Sequence, residues 1–352
     1  PSDADLLLLL APDALDQKQL FAVDQFLMQG GSVVVATSPF DVNISNTLSA
    51  KTHKSGLEAW LKHLGVTMDK TLVFDPHSAS LPIPVRRQLG SISVNEIRMM
   101  PYPLFADVRG EGLNRNSPMT ASLQQLTVNW ASPLHVDRQK NKNRQVTELI
   151  HTSSDSWVSD SADIMPKYGL YPDTGFRPAS KRGRELLAVA IKGRFDSWFK
   201  DKPSPLLKQS GKDKENGKVT DKTASKNATK PVVASVIERS SDSARLVLIS
   251  ANDFARDMVV SLTSQGMGTQ YTRQLEMIQN AVDWSLQDEG LLAIRSRASF
   301  ARTLIPMEHD TQLFWEYLNY ALALFGLGLV WVWRRLLHRR RAAQFETILA
   351  EV

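Results

Sequence analysis

The sequence predicts an α/β protein: a doubly wound, mostly parallel sheet, followed by a C-terminal transmembrane helix. Three observations predict it. A strand–helix–strand pattern opens the chain over residues 5–37. The strand-then-helix order returns from residue 244 onward. Near the end, residues 313–333 read LFWEYLNYALALFGLGLVWVW, with RRLLHRRR directly behind them.

Residues 5–11 form a short continuous apolar run stopped by Pro12, the pattern of a fully buried strand. Residues 13–31 then place Leu20, Val23, Phe26 and Leu27 at helical spacing. Asp16 is the candidate N-cap, and Gly30-Gly31 the stop. Residues 32–37, SVVVAT, give a second buried strand. Such a β-α-β unit makes its two strands parallel, with a right-handed connection.

Open parallel sheets bind ligands beyond the C-terminal ends of their strands. Ser38 and Asp41 fall there, as they would in an ordinary turn. Residues 56–64 predict an amphipathic helix closed by Gly65, and residues 71–74 a strand ending in Asp75 and His77. A strand-end Asp beside a His admits a catalytic or metal-binding reading as well as a turn. No further ligand stands at metal-site spacing around His77, so no metal or other cofactor is expected.

From residue 83 to 130, Pro101, Pro103, Gly110, Gly112 and Pro118 interrupt the apolar pattern and predict loops with short strands. Residues 126–130, 134–136 and 145–152 read as strand pieces. Residues 153–175 are polar, with Trp157 and Tyr168 as anchors, and 186–191 form a buried strand. Residues 200–230 are Lys, Ser, Asp, Thr and Gly with almost nothing apolar, too little to offset ordering entropy. They predict a flexible insertion within one domain, because residues 244–250 resume a strand. Ser250 and Asp253 sit at its end, and Asn252-Asp253 predict a cap for a helix through Leu262. A Gly-rich loop at Gly266 and Gly268 precedes a helix over 273–286, with Leu275, Ile278, Ala281, Val282 and Leu286 on one face. Residues 291–294 suggest a last strand piece.

The terminal apolar run meets the ~20 residues that a bilayer core requires. Trp315, Tyr317, Tyr320, Trp331 and Trp333 stand near its two ends, as interfacial aromatic belts do. Arg334, Arg335, Arg339, Arg340 and Arg341 lie on one side only, which predicts a cytoplasmic C-terminus and an exported bulk. These arginines would meet the inner lipid headgroups. Glu316, Asn319, Gly326 and Gly328 are candidates for contact with a partner helix. The expected divisions are 1–199 and 232–306 as one extracytoplasmic domain, 200–231 as the insertion, 311–336 as the span and 337–352 as the tail.

The 352 residues include no cysteine, which excludes disulfides, thiol catalysis and Cys-ligated metals. The net charge of +5 concentrates in the Lys-rich stretch and the terminal arginines, leaving no basic face for nucleic acid. The chain starts at Pro1 without a signal sequence, yet the topology needs export. An upstream membrane segment is therefore expected beyond this sequence.

Several ordered segments resemble one family. They are LLLLLAPDALDQKQLFAVDQFLMQGGSVVVATSPF, GLEAWLKHLGVTMDKTLVFDPHSA, LTVNWASPL, ELIHTSSDSW, ARLVLISANDFARDM and QLEMIQNAVDWSLQDEGLLAIRSR, with the apolar helix and WRR at the end. Together they resemble the GldG-like auxiliary subunits of ABC-2 type transport systems, a gliding-motility family. The resemblance implies a doubly wound domain like that of class I glutamine amidotransferases, of the flavodoxin-like kind. It implies a permease and an ATPase as partners, in a bacterial inner membrane. Two copies beside a dimeric permease would suit common symmetry. Those amidotransferases use a cysteine at a strand-to-helix elbow. This chain has none, and it carries neither G-x-S-x-G nor a P-loop. The expectation is a non-catalytic accessory subunit. A membrane-anchored cell-envelope hydrolase using Ser38, Asp41, Asp75, His77, Ser250 and Asp253 is the alternative, and a purely structural anchor the third reading.

Overall fold

The computed structural model describes residues 4–44, 48–89, 92–206, 236–286 and 309–350. The expected strand piece at 291–294 and most of the Lys-rich stretch lie outside these residues. The chain divides into two compact units, Pro1–Phe300 and Ala301–Val352.

The first unit opens with β1 (Leu6–Leu10), α1 (Gln17–Met28) and β2 (Ser32–Ala36). Asp16 caps α1: its carboxylate accepts from the Lys18 and Gln19 amides, and the Gln19 side chain accepts from the Asp16 amide. This reciprocal box satisfies amides that the first helical turn would otherwise leave open. β3 (Phe40–Asn43) and β4 (Ser49–Thr52) pair antiparallel. α2 (Glu58–Leu64) ends on Gly65, at φ 90°, a left-handed conformation that favours glycine. β5 (Val66–Met68) and β6 (Leu72–Phe74) follow.

β7 (Ser78–Leu89) and β8 (Ile92–Arg109) then form a long antiparallel hairpin. The remaining strands among the described residues of this unit are β9 (Gln125–Asn129), β10 (Leu134–Val136), β11 (Gln145–His151), β12 (Trp157–Ser159), β13 (Leu186–Lys192) and β14 (Arg245–Ile249). α3 (Asp257–Met267) and α4 (Arg273–Ser285) complete its described elements.

The principal sheet has the order β1-β2-β14-β13-β11. β1, β2 and β14 are parallel, while β13 runs antiparallel to both β14 and β11. The expected doubly wound, mostly parallel, flavodoxin-like sheet is therefore wrong. The protein is rich in β-structure, with one mixed sheet, several small antiparallel sheets and few helices. β5 pairs with β10, β6 with β12, and β7-β8-β9 make a separate three-stranded sheet. The physical reason is that a short apolar run has the same appearance whichever strand it joins. Residues 71–74 read as a strand, but the partner of β6 is β12 and not the principal sheet.

The central strands β2, β14 and β13 of the principal sheet are covered on both faces, whereas β1, expected as a fully buried strand, lies at the edge with Leu8 and Leu10 exposed. Val33, Val35, Leu246, Leu248, Val189 and Ile191 pack under α1 and α2. Val34, Ala36, Val247, Ile249, Ala188 and Ala190 pack with Met277 and Ala281 of α4 and with Val108, Leu126 and Val128 of the hairpin sheet. Strand residues point alternately to opposite faces, so a sheet covered on both sides needs the unbroken apolar runs seen in β2 and β14. Beneath α1, buried Asp24 accepts from the Trp60 indole N–H at 3.0 Å, the Trp198 amide at 2.9 Å and the Ser197 hydroxyl. One carboxylate thus joins α1, α2 and the segment after β13. A third core gathers Phe40, Phe74, Tyr102, Phe105, Trp130 and Trp157, with Phe74 stacked on Trp157 at 5.5 Å.

Four other expectations change. The stretch from 83 to 130 contains the long hairpin in place of loops with short strands. α3 begins at Asp257, so Asn252-Asp253 are not its cap; Asp253 pairs instead with Arg256 at 2.9 Å. Gly266 lies inside α3, not in a loop, and a Cβ there would stand 2.1 Å from the Ser80 carbonyl oxygen. The helix rests against β7 only because that side chain is absent. On α4 the buried positions are Gln274, Met277, Asn280, Ala281 and Ser285, whereas Leu275 is 46% exposed and Leu286 47%.

The second unit contains α5 (His309–Ala350), a single 42-residue helix. Thr311–Leu337 within it is long and apolar enough to cross a membrane, and none of its residues is buried by protein. Arg334 and Arg335 follow its last tryptophans, and the Arg335 guanidinium lies over the Trp331 ring at 5.1 Å. The side chains of Arg339, Arg340 and Arg341 are outside the described ones.

Candidate functional site

A cleft of about 380 Å³ opens at the C-terminal end of β2. Its floor is Thr37, Ser38 and Pro39, where the chain leaves the sheet. Residues 52–55 make one wall. The His53 amide donates to the Pro39 carbonyl at 2.7 Å, and the Ala14 and Leu15 amides donate to the Lys54 and Ser55 carbonyls. α2 supplies Glu58, Leu61 and Lys62, and β5 with its following turn supplies Val66, Thr67, Met68 and Lys70. The walls are thus fixed by backbone pairing, as binding loops on a rigid sheet edge require.

Ser38 is buried. Its Oγ stands 3.3 Å from the Ser132 hydroxyl and accepts from the Phe40 amide at 3.3 Å. Neither neighbour is a base. His53 lines the same cleft, but its Nε2 meets the Pro12 carbonyl at 2.8 Å and its Nδ1 faces Asp13 at 3.8 Å. Glu58 is also engaged, accepting from the Ser55 amide at 2.8 Å, the Gly56 amide at 3.1 Å and the Ser55 hydroxyl.

Ser250 joins Ser38 through Ser132, whose amide donates to the Ser250 carbonyl at 3.1 Å. The Ser250 side chain is fully buried and has no partner among the described residues. Asp253 is buried beside exposed Asp41 and paired with Arg256. Burial raises its carboxyl above the ordinary range; Arg256 pulls the other way, and the nearby Asp41 charge adds to the rise.

Asp75 and His77 belong to a different place, where β6 leads into β7. Asp75 is buried and accepts from the Ser153 amide at 2.7 Å, the Ser153 hydroxyl at 2.7 Å and the His77 amide at 2.9 Å. The His77 ring is 3.6 Å from that carboxylate and 63% exposed. This is a knot that fastens the 153 segment to the end of β6. Asp107 adjoins it, its amide donating to the His77 carbonyl at 2.9 Å. Burial raises the Asp107 carboxyl, and Arg109 opposes the rise.

The structure therefore brings Ser38 and Ser250 into one neighbourhood, and Asp75 and His77 into another. Ser38 and Ser250 meet no base among the described residues, and the only base the Ser153 hydroxyl meets is the Asp75 carboxylate, which the Ser153 and His77 amides also occupy. In neither place does a serine hydroxyl meet a histidine, the usual activating partner. Among the described residues no group of three or more His, Asp or Glu side chains is placed to hold a metal ion. The sequence reading missed Ser132, Ser153 and the cleft lysines. Only the regular recurrence of lysine at 54, 62 and 70 hinted at the last, and nothing local marks the two serines.

A relative described only as an uncharacterized protein, from Borreliella burgdorferi, is 20% identical over 205 residues, 57% of this chain. The match spans 38% of that protein's length. Among solved structures, the protein described as mmIFT52 N-terminal domain aligns over 80% of this chain and 77% of its own, at 9% identity and a TM-score of 0.35. Residues 1–281 match the family described as an ABC-type uncharacterized transport system. That match covers well over half of the chain, and the protein belongs to this family of transport-system auxiliary components.

Proposed function

We propose that the protein is a non-catalytic accessory subunit of an ABC-2 type transporter, held beside the permease by α5. Its family makes it an auxiliary component of an ABC-type transport system, and its candidate span associates it with a membrane. The finer reading places unit one outside the cytoplasm and the end of α5 inside, in a bacterial inner membrane. Support comes from Arg334 and Arg335, which follow the apolar stretch on one side only. Trp315 and Tyr317 at one end, and Trp331 and Trp333 at the other, would lie at the two interfaces.

Asn319, Gly326 and Gly328 on α5 would meet a permease helix. Glu316 would reach water at the outer end, where its carboxylate already accepts from the Tyr320 hydroxyl at 2.8 Å. ATP hydrolysis belongs to a separate ATPase subunit in this reading, with two copies of the present chain per complex. The domain divisions expected from the sequence enter as part of the same proposal. The hydrolase reading is set aside, because neither of its expected serines, Ser38 and Ser250, meets a base among the described residues.

The observation that carries the proposal is the family match followed by a helix with an apolar stretch of 27 residues. The test is purification of the tagged full chain in mild detergent. A permease and an ATPase should co-elute in fixed ratio. A reporter fused after Val352 should stay in the cytoplasm. Purification of the chain alone from cells that express both partners would sink the accessory role.

A further inference from the structure

We infer that the cleft at the end of β2 binds a phosphate monoester that carries an apolar body. The charge balance comes first. Lys54, Lys62 and Lys70 line the cleft, and none of them is in an ion pair among the described residues. The only carboxylate in the lining is Glu58, already saturated by Ser55 and Gly56. Three ammonium groups against one carboxylate leave a surplus of two positive charges. A phosphate monoester near neutral pH carries about −1.5 to −2, which matches that surplus; a carboxylate supplies half of it.

Polarity comes next. The floor and walls present hydroxyls at Thr37, Ser38, Ser55 and Thr67. Thr37 is buried, and its Oγ1 has no partner among the described residues. A buried hydroxyl without a partner is costly and rare. A phosphate oxygen is an acceptor that could satisfy it. The remainder of the lining is apolar: Pro39, Leu61, Val66 and Met68. These sites suit a ligand with a greasy portion, and the volume falls in the range of small-molecule sites, about 300–1,000 Å³. Such a monoester could be a soluble metabolite or the headgroup of a lipid.

This inference names a ligand class for the outer domain of the accessory subunit, and only its physiological meaning rests on that role. Binding is read on the chain alone, and partner capture on the complex, so each can fail without the other. The experiment is calorimetry on the detergent-solubilised full chain with three probes: inorganic phosphate, phenyl phosphate and dihexanoyl phosphatidic acid. Phenyl phosphate should bind more tightly than inorganic phosphate. A clear preference for the short-chain lipid assigns the site to headgroups, and parity with phenyl phosphate assigns it to soluble monoesters.

The Lys54→Ala/Lys62→Ala/Lys70→Ala variant should weaken binding by about tenfold or more. Lys51→Ala, an exposed lysine outside the cleft, should change it by less than about twofold. If the triple variant does not fold, Lys62→Ala alone is read and should still weaken binding about threefold. No heat with any probe, or equal losses from the cleft lysines and Lys51, overturns the inference.

Discussion

The principal sheet and the β7–β8 hairpin are both β-structure, yet they use their side chains in opposite ways. In the sheet, β2 and β14 are buried on both faces, and every residue of each is inside. In the outer hairpin, Val94, Ile97 and Met99 are exposed, Ile97 by 71%. The sheet is a packed interior that happens to be extended. The hairpin is an arm whose outer part is held by its own cross-strand pairing, from Pro82↔Met99 to Leu89↔Ile92. Where stability resides differs accordingly.

Several substitutions would break or sharpen this contrast. The greatest loss is expected from Leu248→Ala, at the centre of the sheet, with about 2–5 kcal/mol removed in denaturant melts of the solubilised chain. A cost below about 1 kcal/mol would mean that the sheet is no better packed than the arm. Asp24→Ala should cost on the order of 3 kcal/mol, because the Trp60 and Trp198 donors would be left buried without an acceptor. The same measurement reads it, and recovery in Asp24→Asn would be partial.

Asp16→Ala should cost about 1 kcal/mol by removing the cap of α1. Hydrogen exchange at the Lys18 and Gln19 amides should quicken in step. Asp253→Asn changes a slope more than a level. Because burial raises the folded pKa, the folded state keeps its proton to higher pH than the unfolded chain. The contribution of this carboxyl is complete below its ordinary value of about 3.9 and fades as pH rises through the raised value. The Tm of the variant relative to the parent should climb as pH rises above the ordinary carboxyl value, and a flat difference would contradict the sign.

Smallest of all, Ile97→Ser should alter stability by less than about 0.5 kcal/mol. A loss several times larger would show that the arm is packed after all.

The same contrast explains what could be read in advance. β2, β13 and β14 announce themselves as apolar runs, since coverage on two faces leaves little room for polar residues; β1 shows the same run, yet as an edge strand it leaves Leu8 and Leu10 exposed. Asp16 and Gly65 were legible as helix ends because backbone satisfaction is a local matter. The hairpin was not. Pro82, Pro84, Pro101 and Pro103 look like breakers, and a central strand would reject them. Pro82 and Pro84 lie on β7, an edge strand of its sheet, where a missing N–H that faces outward costs no ladder bond. Prolines two apart face the same side, as 82 with 84 and 101 with 103 do, and on the side of the second pair the Pro103 carbonyl takes the Asp75 amide at 2.8 Å. Strand direction was illegible too, because nothing within residues 186–191 tells a parallel neighbour from an antiparallel one.

For the cleft, Ser38 was marked by its position after a strand. Its companions come from β5, α2 and the turn near Lys54, segments that only the folded chain brings around it. The α4 face failed for a related reason. Gln274, Asn280 and Ser285 are polar residues turned inward, and Asn280 donates to the Met119 carbonyl at 3.0 Å, so an apolar stripe alone misplaces the helix.

α5 has a mechanical corollary. At about 1.5 Å per residue its 42 residues make a pole of about 63 Å, roughly twice the thickness of a hydrocarbon core. Beyond Leu337 it continues as helix to Ala350, with neither proline nor glycine in between. A twist or tilt that reaches Leu337 meets no glycine or proline over the following turns at which to dissipate, so whatever grips those turns would feel it as torque.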